Sequence, residues 1–395
     1  MPVFKLSNFL LLPELKLREI KKEGTSWCTL YCSKDLKPEY CPKCANPSLS
    51  IYDTRSIRVK DAPIHGHRVD LVIKKRRLWC KSCQKPFTES VPGIRKGFQH
   101  TERYGRALRF ACDKYSDLKS VKKEFRCSYG FLYKTYYRHL ELRAKNNAQT
   151  WWPKKIGIDE HSFKRNKQYG FTEFASLIVN HSNKKIIDVC EGKTAASLEE
   201  ALKHIQGREN VQFATMDMCD PFKNFVKSFF PNAQIVADKF HVIRLLTPAI
   251  LKKRYEIVGT KADLRAKKLL LMSSAKLDYF ERLTLERYLE NFPELKELYQ
   301  AKEAIHRLYR TRGYDKAALA LTALCDAWAH STLKEIKTLR RTLIKWRNEI
   351  LNYFKNNLTN ARVEGYNNVA KSVIKRAYGY RSFKNYRLRL LDACS

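Results

Sequence analysis

Lys155-Ile-Gly-Ile-Asp159-Glu-His-Ser-Phe163 reads as a β-strand that ends in an acid. Four more strands follow it at short intervals. They are Phe174–Val179, Lys185–Cys190, Val211–Asp217 and Ala233–Asp238, each a brief apolar run rich in β-branched residues. The turn His181-Ser-Asn-Lys184 joins the second strand to the third. Ser197–Ile205 is an amphipathic helix with Ser197 as its cap, and Pro221–Phe230 is a second helix.

The order β-β-β-α-β-α-β is that of the ribonuclease-H-like fold. In that fold the first and fourth strands are neighbours, which would bring Asp159 and Asp217 together. Two like charges in contact are unfavourable unless a cation joins them. Magnesium takes hard oxygen ligands, and two ions about 3.5–4 Å apart can activate a water or a 3′-hydroxyl. A third carboxylate is then needed. Leu358-Thr-Asn-Ala-Arg-Val-Glu364-Gly-Tyr-Asn-Asn supplies Glu364 in the first turns of a helix, with Thr359 or Asn360 as cap. Arg362 and Asn367 flank it and are expected to hold phosphate or DNA. Most lone acids are solvated surface groups, and Glu160, Asp188, Glu191 and Asp220 are expected to be of that kind.

Between the fifth strand and Glu364 lies a long stretch with no β pattern, broken only by Gly259, Pro293 and Gly313 between residues 249 and 358. Leu295, Leu298, Ile305 and Leu308 recur at helical spacing, as do Leu333, Ile336, Leu343, Ile350 and Phe354. This predicts an all-helical insertion. Its basic residues Arg340, Arg341, Lys345 and Arg347 form either a DNA contact or a solvated face.

Toward the N-terminus, Cys41-Pro-Lys-Cys44 and Cys80-Lys-Ser-Cys83 are two C-x-x-C knuckles, which together can complete a tetrahedral four-thiolate zinc site. Leu49–Tyr52 and Val69–Ile73 between them read as hairpin strands, giving a zinc ribbon. Cys28 and Cys32 form at most a weaker second site, with reduced thiols the other reading. Residues 102–142 carry three short helical patterns, with a turn at Arg126-Cys127-Ser128 and Ser128 placed to cap the last. That last helix interleaves tyrosines with Lys134 and Arg138. The pattern is that of a helix-turn-helix, and a plain three-helix packing element is its alternative.

The chain has 395 residues, with 77 Lys+Arg against 40 Asp+Glu, a net charge of +37. Such an excess points to a polyanionic partner, most often nucleic acid. Apolar residues make up 44%, which excludes wholesale disorder. No run approaches the roughly 18 apolar residues of a membrane span, and the opening residues lack the order of a signal peptide. The expected location is therefore the cytoplasm.

These blocks, in this order, resemble the DDE transposases of the bacterial ISL-three insertion-sequence family over nearly the whole length. The double C-x-x-C resembles that family's zinc-finger module. Ile156–Phe163, Thr215–Phe222 and Asn360–Asn368 resemble the blocks around its three acids. Pro231–Val242 resembles the block after the second acid. The resemblance implies Asp159, Asp217 and Glu364 as ligands of two magnesium ions. It also implies roles near the cleavage site for Asp238 and His241, and on sequence alone Asp238 rivals Asp217 as second ligand.

The expected architecture is multidomain α+β. It comprises an N-terminal segment and zinc ribbon (1–100) and a helix-turn-helix (101–145). The ribonuclease-H-like catalytic core follows (150–245), with a helical insertion (246–355) and the last catalytic helices (356–395). The implied activity is binding of terminal inverted repeats in double-stranded DNA, then magnesium-dependent cleavage and strand transfer by a homodimer or larger assembly. Two alternatives are a non-catalytic DNA-binding regulator and a ribonuclease-H-like nuclease without strand transfer.

Overall fold

The computed structural model describes residues 12–115, 117–165, 170–259 and 264–395. The chain divides into two compact units, Met1–Arg143 and Ala144–Ser395.

The first unit begins with β1 (Leu15–Lys22), β2 (Trp27–Lys34) and the short pair β3 (Glu39–Tyr40) and β4 (Pro47–Ser48). Then come β5 (Ile51–Ile64), β6 (His67–Cys80) and β7 (Lys85–Thr88). The main sheet runs β1-β2-β6-β5, with β7 also on β6. The two segments read as hairpin strands belong to a far longer ladder, β5 against β6, 14 residues each. His65 and Gly66 close it, both with positive φ, as a two-residue primed turn requires. Val69, Leu71 and Ile73 alternate inward and are almost wholly buried with Leu30 and Val59. This alternation fixes the register, because a slip of one residue would turn all three to solvent.

Three helices complete the unit: α1 (Glu102–Lys114), α2 (Leu118–Phe125) and α3 (Tyr129–Asn146). Thr101 Oγ1 accepts from the N–H of Tyr104 and donates to buried Asp61 of β5 at 2.6 Å, fastening α1 to the sheet. Arg126, in the left-handed region, ends α2. Ser128 Oγ accepts from the N–H of Phe131 at 3.2 Å and so caps α3. Leu108, Val121, Leu132, Tyr136 and Leu140 form the buried contact faces of these helices.

The second unit holds β8 (Lys155–Arg165), β9 (Thr172–Asn180), β10 (Lys185–Glu191), β11 (Phe213–Met216) and β12 (Gln234–Ala237), in the order β10-β9-β8-β11-β12. The first three are antiparallel, and β8, β11 and β12 are parallel. Helix α4 (Ala195–Leu202) precedes β11, α5 (Asp220–Phe229) precedes β12, and α6 (Lys239–Arg244) follows it. The cap of α4 is Thr194, whose Oγ1 accepts from the N–H of Ser197. Ser197, expected in that role, is already inside the helix.

From there the chain is helical: α7 (Thr247–Val258), α8 (Leu264–Leu271), α9 (Tyr279–Glu290), α10 (Pro293–Leu308), α11 (Tyr314–Ala327), α12 (Lys334–Lys345) and α13 (Arg347–Asn356). Leu298, Ile305, Leu321, Ile336, Leu343 and Ile350 join one apolar core with Phe222, Phe225 and Leu198. Asn352 of α13 donates to Ile235 O of the edge strand β12 at 2.8 Å. The chain then returns to the sheet with α14 (Ala361–Arg376) and α15 (Phe383–Ala393).

Strand alternation divides the sheet's two faces. Ile156, Ile158 and Ile178 pack under α4 and α5, whereas Phe163, Leu177 and Val179 pack under α14 and α15 with Val363, Tyr386 and Leu390. Gly157 lies where α14 presses closest. A Cβ there would stand 2.6 Å from Val363 Cγ2 and 2.9 Å from Asn360 Oδ1. Among the described residues, no helix is long and apolar enough to cross a membrane.

Candidate active site and metal centre

The parallel register aligns three acids. Met216 pairs with Ile158 on one side and Ala237 on the other. One residue further along, Asp159, Asp217 and Asp238 stand in a row across β8, β11 and β12. Asp159 does not end its strand, because β8 continues its antiparallel pairing with β9 to Arg165. What ends at Ile158 is the ladder with β11.

Asp159 is 6% exposed. Its Oδ1 accepts from the N–H of Glu160 at 2.8 Å and its Oδ2 from Asn367 Nδ2 at 2.7 Å. Burial first, and the charge of Asp217 second, push its carboxyl up to about 7. Asp238 is as well buried but fully engaged. Its Oδ1 accepts from the N–H of Asn360 at 3.1 Å and its Oδ2 from His241 Nδ1 at 3.0 Å. Burial opposes its ionisation, but those donors win and hold it below the usual carboxylate range. His241 Nδ1 also lies 2.7 Å from Asp217 Oδ1. The two carboxylates, Asp217 foremost, raise the imidazole to about 10, so it is a cation at neutral pH. That contact lacks hydrogen-bond geometry, and Asp217 Oδ1 is a buried carboxylate oxygen with no hydrogen-bond partner. Asp217, Asp238 and His241 bring three ligand atoms within 4.8 Å of one another.

Helix α14 lies over this row. Asn360 and Asn367, seven residues apart, share its inner face and both bond into the row. Glu364 lies between them along the helix. Its side chain is exposed and makes no hydrogen bond or ion pair with any described residue. Glu364 is thus near the row on the helix but outside the clustered ligand atoms. Asn360 stands at the N-cap position yet makes no capping bond. Its Nδ2 donates to Ile158 O at 3.0 Å, and its Oδ1 accepts from Thr215 Oγ1 at 2.9 Å.

Asn367 was expected to touch DNA. The structure corrects this, since it is 5% exposed and engaged by Asp159 and His161. Arg362 is exposed, as a DNA contact must be. His161, 4% exposed, was missed by sequence reading. The available signal was spacing, because Gly157, Asp159, His161 and Phe163 alternate onto one strand face.

In the first unit the four sulfurs of Cys41, Cys44, Cys80 and Cys83 lie within 4.8 Å of one another. Cys41 and Cys83 are 3.9 Å apart, and Cys44 and Cys80 are 3.5 Å apart. A tetrahedral zinc with bonds of about 2.3 Å needs sulfurs about 3.8 Å apart. Each knuckle sits at a strand turn, β3 to β4 and β6 to β7, and each is followed by a left-handed residue, Ala45 or Gln84. The N–H groups of Lys43 and then Cys44 hold the Cys41 thiol down at about 7. Its sulfur neighbours, Cys44 first, push Cys83 up to about 12. Four thiolates so close need a dication, so the set fits zinc. Cys32 by contrast is buried in the apolar core, which raises its thiol to about 11. Neither Cys28 nor Cys32 joins a metal-ligand group among the described residues.

The comparisons with known proteins agree in both units. A family model described as zinc-finger of transposase IS204/IS1001/IS1096/IS1165 matches residues 37–83. With the four-cysteine cluster it supports zinc binding. A transposase for insertion sequence element IS1001 from Bordetella parapertussis is 23% identical over 384 residues, covering 92% of this chain and 91% of that protein. A second family model, described as a transposase, matches residues 156–390, from the first strand of the sheet to the last helix. The chain belongs to the ISL3 family of transposases.

Proposed function

We propose that the chain is a DDE transposase. In this reading it binds the terminal inverted repeats of an insertion sequence and catalyses magnesium-dependent cleavage and strand transfer of double-stranded DNA. The strand order of the second unit, three antiparallel strands then two parallel ones, supports a ribonuclease-H-like core with a helical insertion. The carrying observation is the buried Asp217 Oδ1, which accepts no hydrogen bond, is met only by the His241 imidazolium at 2.7 Å, and stands beside a second buried carboxylate. That pair is suited to a hard divalent cation.

Asp159, Asp217 and Glu364 would hold two magnesium ions. Bound there, the metal would activate water or a 3′-hydroxyl and neutralise the leaving oxygen. Asp159 is fixed by two hydrogen bonds before DNA arrives. Glu364 would reach toward the row from α14, which the Asn360 and Asn367 bonds hold in place. Asp238 is ranked behind Asp217 as a ligand because Asp217 follows β11, the strand paired directly with the β8 that carries Asp159. It acts instead as an anchor for α14 and a partner for His241. The half-exposed His241 imidazolium is a positive charge suited to a scissile phosphate.

In the first unit, α1 to α3 would act as a helix-turn-helix, with exposed Lys134 and Arg138 of α3 toward DNA. The zinc ribbon would extend that contact, and Arg362 would contact DNA beside the row. Both element ends must be cut together, so a homodimer or larger assembly at the nucleoid belongs to this reading.

The test is incubation with magnesium and a duplex carrying the flanking repeat. Wild type should cleave and join, and Asp217→Asn and Glu364→Gln should do neither. Cleavage without joining would favour a nuclease, and no cleavage by wild type would reject the enzyme. Equal activity of Asp217→Asn with an inactive Asp238→Asn would move the ligand to Asp238.

A further inference from the structure

Four buried side chains from three elements form one directed run behind the row. They are Asp159 and His161 on β8, Asn367 on α14 and Tyr386 on α15, none more than 6% exposed. The acceptor end fixes every donor. Held ionised by a cation, the Asp159 carboxylate only accepts, so Asn367 must turn Nδ2 toward Asp159 Oδ2, 2.7 Å away. Its Oδ1 then faces His161 Nδ1 at 3.0 Å, so that nitrogen carries the proton. His161 Nε2 is left with a lone pair, and the Tyr386 hydroxyl donates to it. Reversing any one amide or tautomer would set two donors or two acceptors against each other.

We propose that Tyr386, His161 and Asn367 are positioning residues that hold the Asp159 carboxylate in its metal-binding orientation. The inference rests on reading Asp159 as a cation ligand. Each Asp159 oxygen accepts one protein hydrogen bond and keeps a second lone pair for a cation. Mere attachment of α14 and α15 to the sheet does not call for such a run. Phe163, Val363 and Leu390 attach them by apolar contact, and Arg387 to Asp188 already ties α15 to β10. Three polar side chains buried in that layer are unfavourable unless fully paired. Here the pairing is complete and ends on a carboxylate of the row. It also brings the first turn of α15 into the function of a site on β8.

The experiment is manganese binding to the full chain by titration calorimetry, with thermal melting of each variant. Asn367→Leu should weaken binding about 10–100-fold, and Tyr386→Phe, which keeps the ring, should weaken it several-fold. Phe163→Leu loosens the same layer without touching the run. It should lower the melting temperature and leave manganese binding unchanged. Wild-type manganese binding in Tyr386→Phe and Asn367→Leu would overturn the proposal. If Asn367→Leu does not fold, Tyr386→Phe carries the test. Asp159→Asn separates the two levels. Its loss of manganese binding, with both other variants normal, rejects only the positioning run, and its normal binding rejects the metal-site reading as well.

Discussion

The backbone N–H of Asn360 donates to Asp238 Oδ1 at 3.1 Å, across 122 residues of chain. Asp238 follows the last strand of the sheet and Asn360 begins the helix that carries Glu364. The whole helical segment from α7 to α13 is therefore closed as a loop at the row of acids. Long insertions of this kind are entropically tolerable when their ends are pinned.

Removing that pin has a calculable effect. Asp238→Ala leaves the buried Asn360 N–H without an acceptor and should destabilise the chain by about 2 kcal/mol. Asp238→Asn keeps an acceptor and should recover most of this. Asp217→Asn relieves repulsion on Asp159 but gives up the ion pair with the His241 imidazolium, so it should cost less than Asp238→Ala without stabilising the chain. Urea unfolding of the three variants checks the order. Equal losses in all three would contradict it.

Gly157→Ala is expected to be among the most damaging methyl additions. The new Cβ would meet Val363, His181 and Asn360, all within 3 Å. Overpacking of this kind costs on the order of 3 kcal/mol. Because α14 must move away, DNA cleavage should fall even where the protein still folds. A melting temperature within a degree of wild type would show that the helix gives way freely.

The first unit should depend on its metal. Chelation, or Cys41→Ser, should remove one zinc per chain and loosen the β5–β6 ladder, seen as faster proteolysis within residues 37–88. Binding of repeat DNA should weaken with it. Metal analysis decides, and unchanged zinc in Cys41→Ser would reject the four-thiolate site. Gln84→Gly should raise stability by about 1 kcal/mol, since Gln84 has a φ of 48° that glycine adopts without strain.

Much of this site was legible because it rests on local apolar runs and their order. Short apolar runs located the five strands of the second unit, and their order implied that Asp159 and Asp217 would be close. The row itself was not legible, because register depends on pairing between strands distant in sequence. Asn367 illustrates the limit. Its polarity suggested a DNA contact, and only the closeness of α14 to Gly157 turns it inward. Strands β1 and β2 were missed for a related reason. Their polar residues mask the alternation, and β2 is held by parallel pairing to β6, which no local pattern announces.

Lys134 and Arg138 separate two kinds of DNA contact. If α3 tracks phosphates, changing either to alanine should weaken binding to all duplexes and reduce the salt slope by about one counterion. If it reads bases, binding to the repeat should fall by about 1–3 kcal/mol while binding to unrelated duplex stays nearly constant. Fluorescence anisotropy at several salt concentrations distinguishes them. No change in either duplex would place the DNA surface elsewhere.

Acid should destabilise the second unit through two buried histidines. Burial lowers His161 from 6.5 to about 4, and burial also lowers His181, whose Nε2 lies 2.7 Å from Thr215 Oγ1. Above pH 6.5 both are neutral whether folded or unfolded, so they add no pH dependence. Below it the unfolded chain takes up protons that the folded chain refuses, and stability falls. For His161 the fall continues to about pH 4 and then stops, reaching on the order of 2 kcal/mol by pH 5. Urea unfolding at pH 7 and pH 5 measures the loss in wild type, and His161→Gln should remove His161's share of it. The difference between the two pH steps reports His161 together with what it transmits through Asn367 to the Asp159 carboxyl. An identical step in wild type and His161→Gln would mean that His161 is already protonated in the folded chain, and its proton on Nδ1 would then no longer require Tyr386 to be the donor at Nε2.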